Sequence, residues 1–300
     1  MSRLLVVLHV YYHDQVDYFL DKLANITGCE WDMVVTCSDS SDESLKKIRE
    51  FKPDATFILA DNAGYDVWPF IKVIRATDFS KYEYVLKLHT KRFISMSMKI
   101  EGLDMHKWFW RDTLVDPILK SKERFSRCLA IMEANRKIGY ICSYELHLDL
   151  KQNHEDDEIL LRKEAERISL GEVKNGRFCA GTMFLARMQS LNKLKEIDFT
   201  DEMWNFRTES GQTGTMAHVY ERLLCLIMRD AGYISRALPN SKRRSSKVFC
   251  RRLISPVLKS VFSLERKYPS RSKYLTLMGV KINLSKLKAK RLKKFVDKQK

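Results

Sequence analysis

Between residues 3 and 92, four short apolar runs alternate with segments of helical periodicity, and this alternation restricts the fold more than any other feature. "RLLVVLHV" (3–10), "WDMVVTCS" (31–38), "DATFILADNAGYD" (54–66) and "YEYVLKLHTKR" (82–92) read as strands, each closing on polar residues. Between them, "YYHDQVDYFLDKLANI" places Val16, Phe19, Leu20 and Leu23 at helical spacing. "DSSDESLKKIREF" opens on residues that cap helices, and "VWPFIKVIRATDF" predicts a helix after its proline. Strand–helix–strand units of this length connect parallel strands, so the chain is α/β, with a mostly parallel sheet covered by helices. Ligands of such sheets gather beyond the carboxyl ends of the strands. Those ends are His9–His13, Thr36–Asp39, Asp61–Asp66 and His89–Arg92, which should form one rim.

The middle of the chain is less regular. "MHKWFWRDTLVDPIL" and "RFSRCLAIMEANRKIGYIC" predict helices leading into a strand at 138–142. "HEDDEILLRKEAERISLG" is polar enough for an exposed helix or an inserted flap. "GRFCAGTMFLARMQSLNKL" gives a strand at Met183–Ala186 behind small residues that allow close backbone approach. "AHVYERLLCLIMRDAG" is a helix with a glycine stop.

Charge divides the chain near residue 240. Residues 241–300 hold 20 Lys and Arg against Glu265 and Asp297, whereas the first 240 carry 34 basic and 36 acidic residues. The expected organisation is therefore a body, 1–240, and a basic, partly amphipathic, helical extension, 241–300. "NSKRRSSK" reads as a mobile basic loop, and Leu284, Leu287, Leu292, Phe295 and Val296 share one helical face opposite the charges. That face suits an anionic membrane surface, with packing on its own domain or a partner protein as the alternative. The neutral body and the lack of a recognised module argue against nucleic acid. No apolar run reaches the roughly 18 to 20 residues that span a bilayer, and the N-terminal run has no signal-peptide cleavage site. Seven cysteines without a CxxC or dense spacing fit a reducing compartment rather than a disulfide framework or zinc site.

GxGxxG, GxxxxGK[ST] and the α/β-hydrolase elbow are all absent, which demotes the common nucleotide enzymes and serine hydrolases. Five blocks in order, "LHVYYHD" (8–14), "DNAGYDVWPF" (61–70), "YEYVLKLHTKR" (82–92), "AGTMFLAR" (180–187) and "GTMAHVYERLL" (214–224), resemble the rhamnan-synthesis protein family, glycosyltransferases of bacterial cell-surface polysaccharides. The resemblance spans about residues 3–235 and implies a GT-A-like, Rossmann-like nucleotide-sugar transferase. Many such enzymes have an Asn-x-Gly element and then a strand ending in DxD, whose carboxylates hold a divalent metal on the donor diphosphate. Asn62 and Gly64 match the first element; Leu88-His89-Thr90-Lys91 stand where DxD is expected. The missing DxD departs from that pattern, so no cofactor is expected, and Mg²⁺ or Mn²⁺ is the disfavoured alternative. Lys87, His89 and Lys91 would instead meet the charge of the leaving diphosphate, with Thr90 as hydroxyl donor. The competing readings are a solvated strand end, a His-containing metal site or an acceptor site.

Other residues follow from position. Asp61, Asn62 and Asp66 form either a metal-ligand loop or an Asx-stabilised turn, and Asn62 and Asp66 suit nucleotide or sugar hydroxyls. His9, Tyr12 and His13 lie where a donor nucleotide sits in this fold class, although His9 equally reads as a core histidine. Thr36 and Asp39 end the second strand, and the resemblance offers Asp39 as a base or ribose contact. For the general base of an inverting transfer the first candidate is Glu221, with His218 one helical turn earlier on the same face. Pairing of Glu221 with Arg222 is the bland alternative, and Asp201 and Glu209 are reserves. Gly181 and Thr182 shape a sugar or acceptor pocket, Arg177 is offered to phosphate, and Cys179 is a core thiol.

The sequence reading is a glycosyltransferase moving a sugar, with L-rhamnose from dTDP-L-rhamnose as the implied donor, to a lipid-linked or growing surface glycan. The expected location is cytoplasmic, at the inner face of the cell membrane. The alternatives are a noncatalytic polysaccharide-assembly scaffold and a protein that binds nucleic acid through its tail.

Overall fold

The first strand, β1 (Arg3–Val10), buries every side chain after Arg3, so both of its faces must be covered. The computed structural model describes residues 3–38, 43–61, 63–95, 98–100, 102–150, 155–171, 176–204, 215–267, 272–277 and 280–283, with backbone alone at 155–157, 242–243 and from 255 onward. After β1 come α1 (Val16–Leu23), β2 (Glu30–Cys37), α2 (Glu43–Phe51), β3 (Thr56–Leu59), α3 (Val67–Ala76) and β4 (Tyr84–His89). The short pair β5 (Lys99–Ile100) and β6 (Leu103–Asp104) leads to α4 (Phe109–Leu119), α5 (Lys122–Ala134), β7 (Ile138–Ser143) and β8 (His147–Asp149). Then follow α6 (Glu155–Arg167), β9 (Arg177–Cys179), β10 (Phe184–Arg187), α7 (Lys193–Glu196), α8 (Met216–Asp230), β11 (Ile234–Leu238) and α9 (Lys242–Val261).

Seven strands form one sheet in the order β11-β7-β10-β4-β1-β2-β3. Only β10 runs against its neighbours, β4 and β7; the other pairs are parallel. The start of β10 therefore lies on the same rim as the carboxyl ends of β1, β2 and β4, and the loop before it, Gly181–Met183, joins that rim. In-register pairing sets His89 of β4 beside His9 of β1, and His9 beside Thr36 of β2. Residues paired in register share a face of the sheet, as do Lys87 and His89 by alternation.

Packing on that face comes from α3, α6 and α8, whose apolar side chains join Leu5, Val7 and Val85 in one core cluster. Trp68, Phe199, Trp204 and Tyr220 stack within it, the Trp68 and Trp204 rings nearly parallel at 4.8 Å.

Some sequence expectations need correction. The third helix begins before its proline: Pro69 lies in the first turn of α3, where its missing N–H is harmless. The segment read as an exposed helix or flap is α6, which packs on α8. Leu161, Ala165 and Ile168 make a buried stripe at helical spacing, and the buried Glu164 accepts a 2.5 Å hydrogen bond from the Tyr220 hydroxyl. "NSKRRSSK" is no loop beyond Ser241, because its lysines and arginines, good helix formers, open α9.

By compactness the chain divides into Met1–Lys242 and Arg243–Lys300. The second unit is not wholly helical. After α9 its described backbone forms β12 (Phe262–Lys267), β13 (Ser272–Leu277) and β14 (Val280–Asn283), an antiparallel meander that buries no long crossover and so closes locally. The amphipathic face expected at Leu284–Val296 lies outside the described residues. Among the described residues no helix is long and apolar enough to cross a membrane.

Candidate functional site

The end of β4 carries Lys87 inward. Its residue is 1% exposed, and its ammonium donates to Asp66 Oδ2 at 2.5 Å and to Thr182 Oγ1 at 2.7 Å. The Thr182 hydroxyl in turn donates to Asp66 Oδ2 at 2.5 Å, closing a triangle between β4, the start of α3 and the loop before β10. Burial would raise the Asp66 carboxyl, but the charges around it and the Lys87 hydrogen bond hold it well below the usual carboxylate range. Lys87 and Lys91 supply that charge at neutral pH, and His89 adds to it only once it takes a proton in acid.

His89 Nε2 donates to the Gly181 carbonyl at 2.8 Å and stands 3.7 Å from Asp66 Oδ2. Burial pulls its pKa down to about 3, against the attraction of Asp66. His89 is thus a neutral donor at neutral pH, not the third cation expected from sequence. His9 behaves alike: its Nδ1 meets Thr36 Oγ1 at 2.9 Å, and burial lowers its pKa to about 4.

Two loops hold the backbone in the left-handed region. Gly64 and Tyr65 have φ of 66° and 52°, and Gly181 and Thr182 have 86° and 48°. A Cβ on Gly64 would lie 2.6 Å from both Trp68 Cβ and Trp204 Cε3, so the glycine is needed for space as well as conformation. A left-handed β-branched Thr182 is strained, and its bonds to Lys87 and Asp66 hold it there.

Glu221 reaches the same loop from α8. Its Oε1 accepts the Gly181 N–H at 2.6 Å, and its Oε2 lies 3.4 Å from Arg222 Nη1. Arg222 is itself anchored by the His218 carbonyl at 2.6 Å. Thr215 caps α8 and meets His218 Nδ1 at 2.8 Å, and the Tyr65 ring stands 6.1 Å from the His218 ring. The α3 turn, the β4 end, the β10 loop and the start of α8 therefore converge on one site.

Lys91 lies just past β4. Gln15 clasps its main chain, donating to its carbonyl at 2.5 Å and accepting its N–H at 3.2 Å. Its ammonium lies 4.2 Å from the centre of the Trp110 ring. Burial lowers its pKa below the ordinary lysine value, while Asp66 and Glu221 pull the other way. Among the described residues this ammonium has no hydrogen bond or ion pair, which separates it from Lys87. Thr90 Oγ1 is a framework acceptor for the N–H groups of Tyr11 at 2.9 Å and Tyr12 at 2.8 Å. Tyr12 is half-buried, and burial raises its phenol further.

The remaining candidates fall elsewhere. Asp201 accepts from Trp68 Nε1 at 2.9 Å. Arg177 donates to the His147 carbonyl at 3.2 Å, and the buried Cys179 thiol is bonded to the Met183 carbonyl at 3.2 Å. His13 Nδ1 meets Ser44 Oγ at 2.8 Å. Asp39, Asn62 and Glu209 lie outside the described residues. Sequence reasoning missed Gln15 and Trp110. The pattern "KWFWRD", two tryptophans flanked by charge at a helix start, was the available signal for the second.

Asp66 brings a carboxylate to the β4 end, and its Oδ2 is already held by an ammonium and a hydroxyl. Among the described residues no three His, Cys, Asp or Glu side chains gather as metal ligands.

Protein WxcX of Xanthomonas campestris pv. campestris, whose activity is uncharacterised, is 26% identical over 235 residues in strains B100 and ATCC 33913. The aligned region is 76% of this chain and 32% of WxcX, so the chain spans about a third of the length of these relatives. Among solved structures, S. aureus TarS residues 1–349 align at 13% identity and a TM-score of 0.38, over 74% of this chain and 56% of that one. A Desulfovibrio desulfuricans G20 protein assigned as a nucleotide-diphospho-sugar transferase aligns at 11% identity and a TM-score of 0.33, over 87% and 98%. At these scores the fold rests on the strand order itself. The model of rhamnan synthesis protein F matches residues 1–233, and the chain belongs to that family.

Proposed function

We propose that the first unit is a GT-A-like glycosyltransferase core that moves a sugar from a nucleotide-diphosphate donor to a lipid-linked or growing surface glycan, with inversion. Family membership supports the polysaccharide setting. The observation that carries the chemistry is Lys91: a half-buried ammonium on the ligand rim, covered by Trp110 and within electrostatic reach of Asp66 and Glu221, with no ion pair among the described residues. As the sugar–phosphate bond breaks, negative charge grows on the diphosphate, and a preorganised cation stabilises it. Lys91 performs that role, and Lys87, His89 and Asp66 hold the loop against which the donor lies.

Glu221 takes the acceptor proton. The Gly181 N–H fixes one carboxylate oxygen and Arg222 flanks the other, so the group is aimed before the acceptor arrives. His218 and Tyr65 wall the acceptor side. Gly64, Thr36, His9 and Tyr12 shape the donor side, together with Asp39 and Asn62 by sequence position. dTDP-L-rhamnose is the first donor to test, on the strength of the family.

The basic extension brings this core to an anionic membrane on the cytoplasmic face, each Lys or Arg near the surface adding about 1 kcal/mol. Deleting residues 281–300 should then reduce partition onto anionic vesicles, and unchanged partition refutes this part.

The deciding experiment is transfer by the full chain with a panel of nucleotide sugars, with EDTA and with added Mg²⁺ or Mn²⁺. Turnover survives chelation. Glu221→Gln lowers kcat by about 10²- to 10⁴-fold while donor binding persists, and Lys91→Met weakens donor binding. Loss of activity in EDTA with rescue by metal overturns the metal-free chemistry. Failure to bind any nucleotide sugar favours the noncatalytic assembly scaffold, and salt-dependent nucleic-acid binding through the tail alone favours the third reading.

A further inference from the structure

The opposite rim of the sheet carries a cleft of 610 Å³, within the range of about 300 to 1,000 Å³ common for small-molecule sites. It opens where β1 and β4 begin and β10 ends, so the length of the strands separates it from Lys91 and Glu221. Four cations line it, Arg3, Lys81, Arg136 and Arg187, against one carboxylate, Glu83, with the rings of Tyr82 and Tyr233 among the walls.

Arg187 makes this a built feature. The residue is 8% exposed, and its guanidinium is fixed by main-chain carbonyls, Nη2 on Met132 at 2.8 Å and Nε on Ile138 at 3.4 Å. Glu83 Oε1 lies 3.4 Å from Nη1, as long a contact as that of Nε, so the one short hydrogen bond of the fork is that of Nη2. Beside it in register is Tyr84, whose ring centre is 5.4 Å from the guanidinium carbon and whose hydroxyl lies near Glu83 and Arg187. Arg3 is tied to Asp32 at 2.7 Å and lies over the Tyr82 ring. Among the described residues Lys81 and Arg136 close no ion pair, although Lys81 is within electrostatic reach of Asp78, so both ammonium and guanidinium stand open at the mouth.

We propose that this cleft binds the phosphate of a small phosphorylated ring compound, a sugar phosphate or a nucleotide, at a site separate from the transfer site. A rigid guanidinium with two open cations above it matches a phosphate group. The tyrosine rings, with polar atoms from Ser80 and Gln189, suit a ring bearing hydroxyls.

The test titrates the full chain at low salt, by calorimetry, with inorganic phosphate, glucose 1-phosphate and a nucleoside monophosphate. Lys81→Glu/Arg136→Glu alters two exposed side chains and leaves the fold intact; Lys91→Met serves as the control at the other rim. The expected result is binding of a ring phosphate at least tenfold tighter than inorganic phosphate. That binding falls at least tenfold in the double variant and persists in Lys91→Met, which removes only what binds at the transfer rim. The tighter of the two ring compounds identifies the source. Equal affinity for inorganic phosphate overturns the ring selectivity. Absence of binding, or binding lost in Lys91→Met and kept in the double variant, overturns the second site while leaving the transfer site standing.

Discussion

Replacing Asp66 by Asn isolates the electrostatics of the strand end. The substitution keeps the shape and one acceptor oxygen, but it removes the negative charge opposite Lys87, an ammonium inside a residue that is 1% exposed. Removing one partner of a buried pair costs about 3 to 5 kcal/mol, because the remaining charge is stranded. The Asn oxygen can still accept from Lys87 and Thr182, and the Asp66 side chain is 16% exposed, so the lower end applies. About 3 kcal/mol is on the order of a hundredfold in the folding equilibrium. Denaturant unfolding at pH 7 measures it, and adding Lys87→Met to Asp66→Asn should recover part of the loss. The sign with pH follows from the lowered Asp66 value: its stabilisation is complete above about pH 4, the ordinary carboxylate pKa, and vanishes as pH falls through the folded value. The gap between wild type and Asp66→Asn should therefore be flat from neutral pH to about 5 and close in stronger acid. A gap under about 0.5 kcal/mol at pH 7, the ordinary range for surface substitutions, refutes the reasoning. So does a double variant less stable than Asp66→Asn.

Three other outcomes are expected. His9 and His89 are neutral when folded, at about 4 and about 3, but titrate near 6.5 when unfolded. Their stabilisation is full above that value and declines as pH falls toward the folded values, by about 1.4 kcal/mol per pH unit for each. Unfolding measured at pH 7, 6 and 5 should show that slope, and His89→Gln should flatten it; a pH-independent wild type contradicts it. Gly64→Ala meets both a positive φ and contacts at 2.6 Å with Trp68 and Trp204, and should cost more than about 2 kcal/mol. Gly232→Ala, with φ of 85° but open space, should cost only about 1 kcal/mol; equal losses in thermal unfolding would show that packing around Gly64 contributes nothing. Trp110→Leu removes the ring under Lys91 and should weaken nucleoside diphosphate binding by about 2- to 30-fold, the worth of a cation–π contact, whereas Trp110→Phe keeps most of the affinity.

Periodicity exposed the parallel sheet because its central strands are buried on both faces and read as unbroken apolar runs. It failed at α6, where the buried Glu164 makes a helix face look solvated. Its partner Tyr220 lies 56 residues along the chain. The same limit governed the site. Strand alternation placed Lys87 beside His89, but which cation was neutralised depended on Asp66, 21 residues away, and Thr182, 95 residues away. Burial, which drives the His89 pKa down, is a property of the assembled core and has no local sequence signal. Glu221 could be chosen as an acidic residue on a helix; its grip on the Gly181 amide could not.

The strand end therefore works as a sorted set of charges. At neutral pH, Lys87 cancels Asp66 inside the core, Arg222 stands against Glu221, and both histidines are neutral. Lys91 has no ion pair among the described residues and, unlike the exposed Arg92 beside it, is partly desolvated next to Trp110. A cation in such a place interacts with an anion more strongly than one in water, because less solvent intervenes. His9 and His89 take up a proton only in acid, at about 4 and about 3, so neither adds charge to this rim near neutral pH, and anion affinity should be level between about pH 6 and 8. A histidine-like inflection near pH 6.5 in the binding of a nucleotide sugar, whose diphosphate diester has no proton to lose in that range, would place the working charge on an imidazole and remove Lys91 from that role.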